Sequence, residues 1–155
     1  AFLRDHNTAR SVLDVFNDLY AMFGRETYCR LFPVILTDRG SEFSNPVPIE
    51  QDENDELRSL VFYCNPSAPY QKGGIEVAHE LVRRVLPKGK SFDDLQQEDI
   101  DLMLSHINSY KRGKLNSRSA YQLFNFIYGD DILPKLNIRE IEANDIVLSP
   151  KLLKK

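Results

Sequence analysis

Apolar positions recur with helical spacing over the first stretch of the chain. Val12, Phe16, Leu19 and Phe23 stand at i, i+4, i+7 and i+11, joined by Val15 and Met22, while Arg10, Asp14, Asn17 and Ala21 fall opposite. The pattern predicts a helix running to about Phe23. Asn7 is the expected cap, because its side chain can accept from an early backbone N–H. Gly24 suits the left-handed position that ends a helix. The three residues at the start read as the end of a strand. Pro33-Val34-Ile35-Leu36-Thr37-Asp38 reads as a short strand, apolar on both faces and closed by a polar residue.

From Arg39 to Asn54 the residues turn to Gly, Ser, Asn, Pro and acids, as in a surface loop, and a strand-like run resumes over Leu57 to Tyr63. Asn65-Pro66-Ser67-Ala68-Pro69 breaks that run. Gly73-Gly74 precede a helix predicted from about Ile75 to Leu86, which Pro87-Lys88-Gly89 stops. Ile100, Met103, Leu104 and Ile107 mark one further amphipathic helix. Ala120, Leu123, Phe124 and Ile127 mark another, with Ser117 as its expected cap. The tail from Asp130 to Lys155 is weakly patterned and is expected to wrap the surface.

Strands alternating with helices long enough to cover a sheet argue for an α/β fold. Two strands and a remnant fall short of the three or more that an independent sheet usually needs, so further strands are expected before Ala1. The absence of a starting Met fits that expectation of a chain processed, trimmed or cut from something longer.

Composition changes this picture little. The 155 residues favour one domain, and 42% hydrophobic with 28% charged residues is ordinary for a soluble globular protein. No run approaches the roughly 18 apolar residues of a membrane span, and the N-terminus lacks the features of a signal peptide, so no membrane partner is expected. Cys29 and Cys64 lie far apart without a CxxC or Cys/His cluster, which reads as two small hydrophobes in a cytosolic protein. The net charge of −3 does not favour a nucleic-acid partner, which wants a basic surface. The charge is uneven, however. Glu50, Asp52, Glu53, Asp55 and Glu56 form an acidic patch, whereas Arg83, Arg84, Lys88 and Lys90 cluster, as do Lys111, Arg112 and Lys114.

Two carboxylates stand out by position. Asp38 closes a strand before the flexible Arg39-Gly40, and strand ends in α/β sheets commonly hold functional carboxylates, although an aspartate there also starts turns. Glu76 opens a helix behind a glycine pair, a place where a glutamate also answers the helix dipole. Arg83 lies two turns along the same face, and Glu80 with Arg84 can form an ordinary helix salt bridge. His79 reads as a helix-surface residue.

Taken in order, the segments Thr37-Asp38-Arg39-Gly40-Ser41-Glu42-Phe43 and Asn65-Pro66-Ser67-Ala68-Pro69-Tyr70-Gln71-Lys72-Gly73-Gly74-Ile75-Glu76 resemble the second and third acidic motifs of the integrase and transposase superfamily. Glu80-Leu81-Val82-Arg83-Arg84-Val85-Leu86-Pro87-Lys88-Gly89 resembles a segment of the bacterial insertion-sequence-30-family transposases. So do residues 5–12, 106–112 and 121–124, so that the resemblance spans roughly residues 1–128 and leaves 129–155 as a C-terminal tail.

The resemblance implies a partial RNase H-like core followed by C-terminal helices, from a DDE enzyme of DNA transposition and integration. It implies Asp38 and Glu76 as catalytic metal ligands for Mg²⁺ or Mn²⁺, two ions in the complete enzyme. It also implies Lys72, Arg83, Arg84 and Lys88 as DNA-binding residues, with transposon ends and target DNA as partners in a cytoplasmic, nucleoid-associated protein. Arg39 departs from the family's usual Asn, adding positive charge beside Asp38. The first catalytic aspartate is expected upstream of Leu3, since Asp5 adjoins the helix start and Asp14 lies on that helix's polar face. The chain alone is therefore expected to be inactive, and its exposed sheet edge to favour a homo-oligomer. The alternatives are a non-catalytic remnant of a decayed mobile element, serving interaction or oligomerisation, and an unrelated α/β binding domain.

Overall fold

In a computed structural model, the structure describes residues 1–4, 6, 8–65, 71 and 73–153. It is a mixed α/β molecule that divides into two compact units, an N-terminal one over Arg4–Gly73 and a C-terminal one over Gly74–Lys155, which also takes in Ala1–Leu3.

The N-terminal unit begins with helix α1 (Ala9–Leu31). Its cap is Thr8, whose hydroxyl accepts from Ser11 N at 3.2 Å while Ser11 Oγ accepts from Thr8 N. The expected cap Asn7 lies outside the described residues. Val12, Leu19 and Phe23 are buried, as their spacing predicts. Gly24 does interrupt the helix, at φ 71° and ψ 162°, a conformation that only glycine adopts cheaply. The chain then resumes helical structure to Leu31 instead of ending near Phe23, because Tyr28 supplies another buried anchor.

Strand β1 (Val34–Thr37) pairs in parallel with β2 (Leu60–Tyr63), with Val34 opposite Leu60 and Leu36 opposite Phe62. The connection passes through a short 3-10 turn (Ser41–Phe43), helix α2 (Val47–Glu50) and a bridge between Gln51 and Leu57. That bridge takes Leu57 out of β2, which is shorter than its apolar run suggested. β1 is also not covered on both faces. Val34, Leu36, Leu60 and Phe62 are 43–54% exposed on one face, whereas Thr37 is buried. An apolar run records what a strand can bury, not whether a neighbouring layer is there to bury it.

In the C-terminal unit, helices α3 (Gly73–Val85) and α4 (Gln97–Ser109) share a core of Leu81, Val85, Leu86, Ile100, Met103 and Ile107. Residues 1–4 form no strand. Leu3 N donates to Gln97 Oε1, and Gln97 Nε2 donates to Ala1 O. Strands β3 (Lys111–Arg112) and β4 (Arg118–Ser119) make a two-residue antiparallel pair. Helix α5 (Ala120–Tyr128) follows, capped by Ser119 instead of Ser117, since Ser119 Oγ accepts from Gln122 N.

The tail is more anchored than its pattern suggested. Helix α6 (Ile132–Lys135) buries Ile132 and Leu133. Beyond it, three side chains of α4 hold main-chain amides: Arg139 N donates to Ser105 Oγ at 3.2 Å, Ile141 N to Ser109 Oγ at 2.9 Å, and Val147 N to His106 Nδ1 at 3.1 Å.

Candidate catalytic and nucleic-acid-binding residues

Asp38 follows β1 directly, on the exposed side of a strand end whose last residue, Thr37, is buried. Its backbone is fixed from both sides. Cys64 N donates to Thr37 O at 2.8 Å, tying the ends of β1 and β2 together. Gly40 N donates to Asp38 Oδ1 at 3.2 Å, closing an Asx-type turn over Arg39. Glu42 folds back over that turn, so that a Cβ at position 40 would stand 2.5 Å from its Oε2. A side chain at position 40 would therefore only have to displace the flexible end of Glu42. Tyr63 donates its hydroxyl to Phe43 O, closing the loop against β2. Beside Asp38, Arg39, Gly40, Ser41, Ser44, Pro46 and Tyr63 line an open cavity of about 410 Å³.

The second motif is described in part. Residues 66–70 and Lys72, one of the expected DNA contacts, lie outside the described residues, while Asn65 N donates to Gln71 Oε1 at 2.8 Å. Glu76 is exposed in the first turn of α3. The helix turns this residue outward because Val77, Leu81 and Val85 take the core side. Glu80, Arg83 and Arg84 follow at i+4, i+7 and i+8 on the exposed side, with His79 also exposed as expected. Arg84 bonds Glu80 at 2.7 Å, the ordinary helix ion pair. Lys88 is exposed in the turn that ends the helix, where Gly89 takes φ +88°.

Glu76, Arg83, Arg84 and Lys88 therefore share one helix and its terminal turn in the C-terminal unit, and Asp38 belongs to the N-terminal unit. Among the described residues, no three His, Cys, Asp or Glu side chains gather as a metal group.

Sequence reading passed over a polar centre in the N-terminal unit. Asp52, one acid of the acidic patch, has a side chain only 5% exposed. It accepts from the Tyr20 hydroxyl, from Arg25 and from the amides of Asn54 and Glu56. The Tyr20 hydrogen bond, followed by the two amides and Arg25, holds its carboxyl below the ordinary 3.8 against the opposing effect of burial. Arg25 also pairs with Glu56 at 2.9 Å. Arg58 is buried between the Tyr20 and Tyr28 rings, 5.1 and 5.6 Å from their centroids, and donates to Ile49 O, Pro48 O and Asn17 Oδ1. The spacing of these residues carries no local pattern that would have revealed them.

Comparison with known proteins gives these positions their context. The chain is 30% identical over 120 residues to a putative integrase of Spiroplasma virus SpV1-R8A2 B, covering 77% of this chain and 35% of that protein. It is 35% identical over 63 residues to the transposase of insertion sequence element IS1086 from Cupriavidus metallidurans, 41% of this chain and 19% of that one. The transposase of IS4351 from Bacteroides fragilis is 27% identical over 94 residues, 61% of this chain and 28% of that one. Transposases of IS30 elements from Escherichia coli match over 41% of the chain. No family model and no solved structure matches. The chain spans about a third or less of the length of these curated relatives.

Proposed function

We propose that this chain, a relative of insertion-sequence transposases of the IS30 kind, is part of a DDE catalytic core of RNase H-like fold that carries out metal-dependent DNA strand cleavage and transfer. The observation that carries this reading is Asp38. Its carboxylate is exposed at the carboxyl end of a parallel strand pair, on backbone fixed by Thr37 O and by its own turn with Gly40. Open α/β sheets put their reactive groups at such ends. Glu76 supplies the second carboxylate, presented outward from α3 with a row of cations behind it.

These donors fit Mg²⁺ or Mn²⁺ in kind, since both are hard carboxylate oxygens, and fall short in number, since two carboxylates make an incomplete set. In the complete enzyme Asp38 and Glu76 would each be a metal ligand, and the metal would supply a lowered water or hydroxyl pKa and charge stabilisation on the phosphodiester. The chain's own contribution is to fix Asp38 and to neutralise DNA phosphates with Arg83, Lys88 and Lys72. Arg84 joins them once released from Glu80. The partners are transposon ends and target DNA, which gives the protein a cytoplasmic, nucleoid-associated place of action. The chain by itself is inactive.

Mn²⁺ titration by calorimetry tests the site, on this chain and on Asp38→Asn and Glu76→Gln. Weak binding lost in both variants supports the reading. Binding that ignores both substitutions removes it, and robust Mg²⁺-dependent nicking abolished by Glu76→Gln overturns the claim of inactivity.

The apolar face of Val34, Leu36, Leu60 and Phe62 favours a second reading, of a non-catalytic interaction or oligomerisation module. Glu50 Oε1 satisfies Val61 N on β2, and no further strand pairs with β1 among the described residues. Strand addition at β1 in a homo-oligomer serves either reading. A Phe62→Lys chain that associates as the parent does would count against it.

A further inference from the structure

Helix α5 has the sequence AYQLFNFIY, with no charged residue, and buries none of its nine residues fully. Its inner side is occupied. Phe124 and Tyr128 stack at 4.8 Å between ring centroids and are half-buried, as are Tyr121 and Asn125. The other side carries Leu123, itself half-buried, and the exposed Phe126 and Ile127 at i, i+3 and i+4, one apolar stripe. Phe126 is 81% exposed and Ile127 64%, the two most exposed large hydrophobic residues among those described. The water-facing side of a small helix is ordinarily polar, so a stripe of this kind marks an interaction surface.

The flanks of the helix say which partner fits. Arg118 is exposed six residues before Phe124, and Asp130 is exposed six residues after it, followed by the exposed Asp131. Charges of opposite sign the same number of residues on either side of the centre can pair with their counterparts when a second helix lies antiparallel. A two-fold axis near Phe124 brings Arg118 of one copy to the acidic end of the other, twice, and sets Leu123 against Phe126 and Ile127. A nucleic-acid strand finds no cation between positions 119 and 129. We infer that the outward face of α5 is a self-association surface that takes a second copy of this chain in an antiparallel two-fold arrangement.

Three side chains give less than the roughly 800 Å² per partner of a standard interface, so the association is reversible and concentration-dependent. This surface is independent of the chemistry proposed at Asp38 and Glu76, and it is a different surface from the open strand β1.

Sedimentation velocity over a concentration series tests it, on the full chain and four variants. Phe126→Asp should weaken self-association about tenfold or more, with unchanged far-ultraviolet circular dichroism, because the side chain supports no core. Arg118→Asp alone and the double change Asp130→Arg, Asp131→Arg alone should each weaken it. An equimolar mixture of those two should recover association, since both like-charge contacts become opposite-charge contacts. A parent chain that stays monomeric, a dimer indifferent to Phe126→Asp, or a mixture that fails to recover overturns the inference. A dimer lost only in Phe62→Lys also overturns it, and assigns association to the β1–β2 sheet. A monomer that binds phosphatidylcholine vesicles through Phe126 overturns it in favour of a lipid surface.

Discussion

In the C-terminal unit, Leu81, Val85 and Leu86 interlock with Ile100, Met103 and Ile107, whereas the N-terminal unit centres on Arg58, a buried charge held between two tyrosine rings. The first arrangement is the ordinary one, in which non-directional burial holds two amphipathic helices together. The second depends on a set of directed contacts: three acceptors for the Arg58 guanidinium, and four donors for Asp52. An apolar core loses stability in proportion to the volume removed. A buried polar network loses it by leaving a group without its partner. Among the described residues its sheet has two strands with a half-exposed apolar face, so the apolar burial of the N-terminal unit comes mainly from α1 and α2, through Val12, Leu19, Phe23, Tyr28 and Ile49.

The contrast can be broken most directly in the C-terminal core. Met103→Ala should cost about 2–5 kcal/mol, read from chemical denaturation, and should act on the transition reported by α3 and α4. A cost below about 1 kcal/mol would mean that this core is not close-packed. Arg58→Met keeps the length and apolar bulk while leaving Ile49 O, Pro48 O and Asn17 Oδ1 without that donor. It should cost about 1–3 kcal/mol, and a neutral or stabilised variant would show that the network gives no net stability. Gly24→Ala meets no atom within 4 Å, so its expected cost of about 1–2 kcal/mol is purely conformational.

Acid separates the two units more finely. Burial, followed by the nearby Arg139, holds the His106 imidazole below the ordinary 6.5 against the opposing pull of Asp145. Val147 N donates to its Nδ1, which fits only the neutral ring. A folded value below the unfolded one gives stability that is complete above pH 6.5 and is lost as pH falls through the folded value. The Val147 amide should therefore lose protection in mild acid, measured as deuterium exchange relative to its intrinsic rate at each pH, and His106→Gln should flatten that response. Asp52 has the same sign from a lower starting point. Its contribution is complete above 3.8 and is lost only below that, so the N-terminal unit should outlast the tail's anchorage as pH drops. Loss of both at one pH would refute the separation.

Long periodic segments were legible because their apolar spacing and their burial answer to the same geometry: Val12, Leu19 and Phe23 in α1, and Ile100, Met103 and Ile107 in α4. Caps were legible to within two residues. Thr8 and Ser119 prevail over Asn7 and Ser117 because each completes a reciprocal pair with the residue three positions on, which composition alone does not rank. The exposure of Val34 and Leu36 was not legible, since burial of a strand depends on layers that its own residues do not encode. Asp52 was hidden for the opposite reason: it stands among four neighbouring acids, and its partners Tyr20 and Arg25 lie some thirty positions away. For the candidate site, the order of the motifs points to Asp38 and Glu76, and the structure adds that Asp38 is held by its turn with Gly40 while Glu76 is exposed on α3.

The way α4 holds the tail has a consequence for variation. Ser105, Ser109 and His106 grip amides of the main chain, and so read that a residue is present at 139, 141 and 147 without reading which one it is. Side chains at those positions are free to drift under mutation as far as this lock is concerned. Proline is the exception, because it alone brings no N–H. A scan of all twenty amino acids at position 141 should show one intolerant substitution standing apart from an otherwise permissive site.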